Sequence, residues 1–484
     1  MPVPRESRWS PAAPELAAAA ATTLALALAV SSGVYDPLAL VLVSAAGGAA
    51  LTAALLVRRG GPYAETRAAV AILAVGIGAS LVHAALFPPG VAFDRAARGL
   101  SRPLLGVVAG LLLSYMWRGM PRWAARGRFP ALVALATGLG AMVILAAPAP
   151  GIDVWHVQQQ GSLALLAGRN PYEVLYPNIY GPGSPFLDPG LLTPDGRFLT
   201  AYQYTPLILL VDAPSAFLGD VRWTMLAAVA VSAWLVRALG RGALAAELAG
   251  VLLLFQPEGW LVLKFSWNEP FVLATLLLLA LAARRSAERS RQDGPARRRR
   301  WILPSLAAAI AVSSKQYVPL LALPFLLVLP ARDRGRAALV AAAGAAALTL
   351  PFLVANPAAF VRGVLEFQVR QPFRTDALSW PAAIVHFGGP KLPSWPAFLL
   401  AGAVLLATLE RKVSVAQALL ASASTWILFV VFNKQAFANY YWLGVGLLCA
   451  AMAALAARSP CEGPLLPVED EQLSADPTRS AVSR

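Results

Sequence analysis

The sequence predicts an all-α, polytopic transmembrane helical bundle carrying one large extracytoplasmic loop with juxtamembrane helices. Three observations predict it. Hydrophobic residues make up 58% of the chain and charged residues 13%, about half of the roughly 25% charged residues that a soluble surface needs. The mean hydropathy is +0.62. Basic residues fall in short clusters between long apolar runs, which is the pattern of topogenic loops. The two or three soluble domains that 484 residues would otherwise make are excluded by this shortage of polar surface.

A bilayer core of about 30 Å takes about 20 apolar residues per helix, and fewer where neighbouring protein shortens the path. Apolar runs suited to spanning lie near 13–33, 37–57, 67–87, 103–117, 129–149, 221–240, 242–258, 265–283, 301–316, 318–330, 336–355, 393–409, 413–432 and 437–457. The expected count is about fourteen, in a range of about 12–14. No small-residue cleavage site follows the first run, so it is read as a helix and not as a signal peptide.

Arginine supplies 35 of the 40 basic residues, and its clusters set the orientation. Arg284 to Arg300 holds eight arginines, and Arg118, Arg122, Arg126 and Arg128 form a second cluster. With both cytoplasmic, Arg58 with Arg59, Arg332 with Arg334 and Arg336, and Arg411 with Lys412 fall on the same side. Arg95 and Arg98 are the exception. Parity then forces Pro206 to Leu218 to lie along the membrane surface, and Asp212, Pro206 and Pro214 within those thirteen residues suit an interfacial helix. The last residues, 459–484, rich in Glu, Asp, Ser and Pro, read as a disordered cytoplasmic tail.

Scattered between spans, the net charge of +15 gives no continuous basic face, so nucleic acid is not an expected partner. Cys449 lies in an apolar run and Cys461 in the tail, which excludes a disulfide framework. With His83, His156 and His386 alone, and no Cys/His ligand spacing, neither a metal nor another cofactor is expected.

The outward connection 150–204 differs sharply from the rest: it is polar, aromatic and full of Gly and Pro turns. A loop of that length is usually functional. Asp153 stands just beyond a span, followed by Trp155 and His156. A partly desolvated carboxylate there gains basicity and suits proton abstraction from a hydroxyl; as an N-cap of a helix over 154–166 it would have a purely structural role. Other polar residues fall at outer span ends: Asn268 and Glu269, then Lys315, Gln316 and Tyr317, then Asn433, Lys434, Gln435, Asn439 and Tyr440. Arg362, Arg370, Gln371 and Arg374 occupy the loop 356–392. Single lysines at span ends are commonly snorkelling anchors. However, four of the five lysines (Lys264, Lys315, Lys391, Lys434) map outward, against the positive-inside bias, which points to an anionic partner such as a lipid phosphate.

Four segments resemble polytopic superfamily C glycosyltransferases, most closely glycosyltransferase family 87, the polyprenol-phosphate-mannose-dependent mannosyltransferase type. They are D-x-W-H at Asp153 to His156 with LLAGRNPY at Leu165 to Tyr172, YQYTPL at Tyr202 to Leu207, SSKQYVPLLALP at Ser313 to Pro324, and NKQAFANYYW at Asn433 to Trp442. The resemblance covers about 150–442. It implies a glycosyltransferase core over 129–458, leaving 1–128 as an N-terminal transmembrane extension. It implies a multi-pass enzyme of the plasma (inner) membrane that moves a sugar, mannose by default, from a polyprenyl-phosphate donor to a lipid or glycan acceptor on the extracytoplasmic side, with inversion. Asp153 would be the catalytic base. Lys315, Lys434, Arg370 and Arg374, in that order, would receive the leaving phosphate. Asn170, Tyr172, Tyr202, Gln316, His156, Asn268, Glu269 and Asn439 would contact sugar, acceptor or donor. Two rival readings stand beside it: a lipid or solute transporter or flippase, which would place charge at mid-membrane in broken helices, and a non-catalytic scaffold whose aromatic loop binds a glycan.

Overall fold

The computed structural model describes residues 13–58, 65–87, 95–117, 119–181, 183–184, 186–199, 201–292 and 300–457. Expectations for Arg59, Arg118, 293–299 and the tail 459–484 lie outside the described residues, as do those for the side chains of Arg95, Arg98 and Arg291. Among the described residues the chain is all-helical, with no strand beyond isolated bridges. The helices run in order α1 (Ala13–Ser31), α2 (Pro37–Arg58), α3 (Arg67–Leu86), α4 (Arg95–Leu113), α5 (Arg122–Ala146), α6 (Asp153–Leu166), α7 (Pro206–Phe217), α8 (Arg222–Leu239), α9 (Leu244–Phe255) and α10 (Gly259–Lys264). They continue with α11 (Glu269–Gln292), α12 (Ile302–Ser314), α13 (Val318–Leu326), α14 (Ala331–Ala355), α15 (Pro357–Val361), α16 (Phe367–Arg370), α17 (Trp380–His386), α18 (Trp395–Thr408), α19 (Val415–Val431) and α20 (Ala438–Ala456).

Nine helices among the described residues are long and apolar enough to cross a membrane: α1, α2, α3, the Gly99–Met116 stretch, α5, α8, α11, α14 and α20. The remaining expected spans coincide with shorter helices, α9, α12, α13, α18 and α19. Proline explains part of the shortening: α13 has Pro319 in its first turn and Pro324 inside it, and ends at Leu326. Local capping explains several starts. The Thr66 side chain accepts from the Ala69 amide at α3, Ser414 from the Gln417 amide at α19, and Asn356 from the Ala359 amide at α15.

Helix α20 is the axis of the bundle and touches α1, α8, α9, α10, α11 and α19. Of the residues in its apolar spanning stretch 89% are buried, against 11% in that of α14, which packs chiefly on α12. The N-terminal helices belong to the same core: α1 packs on α20, α2 on α19 and α3 on α9.

Contacts sort the helix ends into two sets. Arg58 pairs with Glu410, Glu65 accepts from the Ala245 amide, and Arg241 pairs with Glu288. The other set joins Ser32 to Glu258, Gln158 to Asn268, and Thr205 to the Ser314 carbonyl. We call these the arginine end and the loop end.

The loop end carries a second hydrophobic cluster, separate from the bundle core. It gathers Val157 of α6, Tyr172, Tyr176, Leu187, Leu191, Phe198, Tyr202 and Tyr204 of the long loop, Leu209 of α7, and Phe360, Val364 and Phe367 from the 357–370 segment. The long loop has a core of its own, completed by a segment some 150 residues further along the chain. We call this region the cap. Gly161 of α6 is a fixed point in it, because a Cβ there would meet the Tyr202 ring at 2.6 Å.

Candidate active site

The cap holds Asp153 at the first residue of α6. The N-cap position belongs to Ile152 and has no side-chain cap, so the N-cap reading of Asp153 is corrected. Its Oδ1 accepts from the Tyr180 hydroxyl at 2.8 Å and from the Val154 amide at 2.9 Å. Its Oδ2 has no hydrogen-bond partner among the described residues. Burial pushes this carboxyl above the ordinary carboxylate range; the hydrogen bonds from Tyr180 and Val154 and the charge of Arg374 oppose that push without reversing it. His156, one turn on, is half-buried with Nε2 unpartnered, and burial lowers its pKa against the opposing pull of Asp153.

Tyr180 is the residue that the sequence reading missed. It sits in a turn in which Asn178 accepts from the Tyr180 amide at 3.0 Å and donates to the Gly181 carbonyl at 2.9 Å. Asn followed closely by Gly and Pro marks that turn in the sequence, but nothing in the pattern says which carboxylate the tyrosine reaches.

Arg374 is the cation near Asp153. Its guanidinium lies 4.5 Å from the Phe186 ring centroid and 4.8 Å from that of Phe437, and its Nε and Nη2 pair with Asp376 at 2.8 and 2.6 Å. Among the described residues no acceptor holds Nη1. The loop bearing Arg374 rests on the N-terminal helices. The Tyr35 amide donates to the Asp376 carbonyl at 2.9 Å, Val34 bridges Ala377, and the Tyr35 ring stacks on His386 at 4.1 Å. Gly33 in the same turn lies against the start of α20, where a Cβ would meet the Ala438 backbone at 2.3 Å.

A second polar group lies at the start of α11. Glu269 is fully buried and its Oε1 takes Lys315 Nζ at 2.5 Å and the Tyr317 hydroxyl at 3.2 Å. Lys315 also lies 5.4 Å from the Tyr317 ring centroid and 5.8 Å from that of Tyr440. Tyr204 connects the two groups, standing within electrostatic reach of Asp153, Tyr180, Glu269 and Tyr440. Behind it, Gln158 of α6 donates to Asn268 Oδ1 at 3.0 Å and to the Ser266 carbonyl at 2.9 Å, tying the helix of Asp153 to the turn that leads into Glu269. Ser266 itself has φ +55°, a left-handed conformation costly for a non-glycine residue.

The other expected site residues take packing or bracing positions. Tyr172 is buried in the cap, its hydroxyl donating to the Tyr204 carbonyl at 2.7 Å, and Tyr202 is buried edge-on to it. Asn170 forms the turn before them by accepting from the Tyr172 amide at 3.1 Å. Gln316 donates to the Gln203 and Val364 carbonyls, joining the α12–α13 turn to the cap. Arg370 pairs with Glu366 at 3.0 Å and is half-exposed. Lys434 gives hydrogen bonds to the Val369 and Gln371 carbonyls, and burial lowers its pKa. Asn439 is buried in the first turn of α20.

Among the described residues no group of His, Cys, Asp or Glu is arranged to hold a metal ion. No known protein family, no curated protein and no solved structure matches the chain. The resemblance described above therefore rests on its four segments.

Proposed function

We propose that the protein is a multi-pass membrane glycosyltransferase of the polyprenyl-phosphate-sugar-dependent type, with about fourteen membrane passes, working at the loop end. The observation that carries the proposal is the state of Asp153: one carboxylate oxygen is held by Tyr180 and Val154, the other is uncommitted, and burial has raised the basicity of the group. Such a carboxylate suits a general base. In the proposed step Asp153 Oδ2 takes the proton of an acceptor hydroxyl while that oxygen bonds to the anomeric carbon. The bond from that carbon to the phosphate oxygen breaks, and the electron pair leaves with the polyprenyl phosphate. A single displacement of this kind inverts the anomeric centre.

Negative charge grows on the departing phosphate, so a fixed cation close by lowers the barrier selectively. Arg374 is best placed for that role: its field reaches Asp153 and Tyr180, and the two phenylalanine rings fix its plane. Lys434 follows it, since its carbonyl accepts from the Arg374 amide at 3.3 Å. The sorting of charge supports a transferase over a transporter. Charged residues of the long helices gather toward their ends: Arg122, Arg126 and Arg128 at the start of α5, Arg222 and Arg237 at the two ends of α8, Glu269 at the start and Arg284 to Arg289 in the C-terminal half of α11, and Arg332 to Arg336 at the start of α14. The arginines gathered at the arginine end, Arg58, Arg241 and Arg284 among them, support placing that end in the cytoplasm and the loop end outside the plasma membrane.

The test is transfer in nanodiscs from a panel of polyprenyl-phosphate sugars to lipid and glycan acceptors. The proposal expects one donor to give product with inverted anomeric configuration. Retention, or no transfer from any donor by protein that is folded and lipid-embedded, contradicts it.

A further inference from the structure

Two polar atoms at the start of α11 are buried without a partner among the described residues: Oε2 of Glu269 and Nδ2 of Asn268. Their residues are 0% and 1% exposed. Leaving such groups unsatisfied costs about 1–3 kcal/mol each, so their persistence side by side calls for a ligand. The remaining polar atoms of the pair are already held, Glu269 Oε1 by Lys315 and Tyr317 and Asn268 Oδ1 by Gln158.

The chemistry of the missing partner follows from what each atom can do. A carboxylate oxygen accepts, and an amide nitrogen donates. The partner must therefore donate to Glu269 and accept from Asn268, which one hydroxyl, or two on neighbouring carbons, can do together. A phosphate fails, because it offers Glu269 only more negative charge. Lys315 does not rescue it: at 2.5 Å from the carboxylate, its charge and that of Glu269 nearly cancel for any guest at comparable distance from both. The surroundings are aromatic. The Tyr317 and Trp426 ring centroids lie 4.2 Å apart, and those of Trp426 and Tyr440 5.8 Å apart. The Lys315 side chain is 12% exposed and Tyr317 and Tyr440 are partly buried, whereas Glu269 is 0% exposed, so these three residues form the side of the group nearer solvent. Few polar groups within apolar walls, held in fixed orientation, are the common build of a small-ligand site.

We infer that Asn268 and Glu269 form a recognition subsite for a neutral, hydroxyl-bearing sugar ring, and that Lys315 serves it by holding Glu269 in place and not by binding phosphate. Its assignment to the transferred sugar rests on the transferase reading, with Tyr204 within electrostatic reach of both Glu269 and Asp153. The phosphate and the sugar would then be received by different cations and carboxylates.

The test is saturation-transfer NMR on the full-length protein in nanodiscs. The probes are methyl α-mannopyranoside, methyl α-glucopyranoside and methyl arabinofuranoside, against methyl phosphate. At least one glycoside is expected to bind saturably, with a Kd in about the millimolar range. N268A, and the paired change E269Q/K315M that leaves no lone buried charge, should each weaken it about tenfold or more. D153N should bind it like the wild type. Methyl phosphate should not compete. The inference is overturned if no glycoside binds, as buried water alone would give, if binding survives both variants, or if methyl phosphate competes and K315M abolishes that competition. Failure of the transferase reading shows separately, as no sugar transfer from any polyprenyl-phosphate donor by the folded wild-type protein, and leaves glycoside binding unaffected.

Discussion

The bundle and the cap are built from different residues. The bundle core is overwhelmingly Ala, Leu and Val, and glycine lets helices approach closely, as where a Cβ on Gly446 would overlap Leu273 at 2.3 Å. Half of the cap cluster is Tyr or Phe, and two of its four tyrosine hydroxyls end on backbone carbonyls, Tyr172 on Tyr204 and Tyr176 on Pro171. Helices in lipid associate by close packing of small side chains, because lipid is as apolar as leucine. A segment outside lipid is driven together by burial of large rings, which also supply polar ends for the irregular backbone. The contrast suits a bundle in the bilayer and a cap in the aqueous phase, with the proposed site at their joint. There, aromatic residues exclude water while charged groups remain within reach.

That joint can be broken most severely at Arg222, which is 0% exposed. It pairs with Asp220 at 2.5 Å and donates to the Ile144 and Lys264 carbonyls, while Trp155 of α6 donates to the same Asp220. R222M strands Asp220, which is 14% exposed, and is expected to cost about 3–5 kcal/mol. Thermal unfolding in nanodiscs measures it, and R222M/D220N should recover part of the loss; an unchanged melting temperature for R222M would mean that cap and bundle are not coupled there.

Arg374 belongs to the cap side of the joint and to the proposed phosphate site. R374A should lower transfer by about 10²–10³-fold, the usual effect of removing one preorganised donor at developing charge, with donor binding weakened less. Equal losses in both would make Arg374 a simple binding residue. Smaller again is G161A, which drives a methyl into the Tyr202 ring and should destabilise the cap by about 1–3 kcal/mol. Limited proteolysis should then cut the 170–204 loop first and leave the bundle helices intact, which separates the two regions directly.

The finest distinction is Y180F. Tyr180 stabilises the charged form of Asp153, so removing its hydroxyl raises the carboxyl's pKa further above the ordinary range. The base works only when deprotonated; activity therefore falls as pH drops through that pKa, and in Y180F the acidic limb should move to higher pH. A limb that stays in place or moves to lower pH would remove Tyr180 as the group that tunes Asp153.

Apolar length made the bundle legible in the sequence, since each expected span coincides with a helix. Asp153 was legible because a carboxylate beside Trp and His just past a span is unusual there. What stayed hidden depends on long-range pairing. Glu269 and Lys315 are separated by 46 positions and Tyr35 and Asp376 by more than 300, and no local period encodes either contact. Lys315 looked like an open cation for the same reason, and the structure shows it beside a carboxylate. The N-terminal helices looked like an addition, yet their first turn supports the loop that carries Arg374.

The most direct measurement is the rate of sugar transfer by D153N against wild type in the same nanodiscs, with glycoside binding measured on the same samples. The account predicts a fall of about 10²–10⁴-fold in rate with binding retained. Transfer at the wild-type rate would show that another group accepts the proton, and the reading of the loop end as a site built around Asp153 would not survive it.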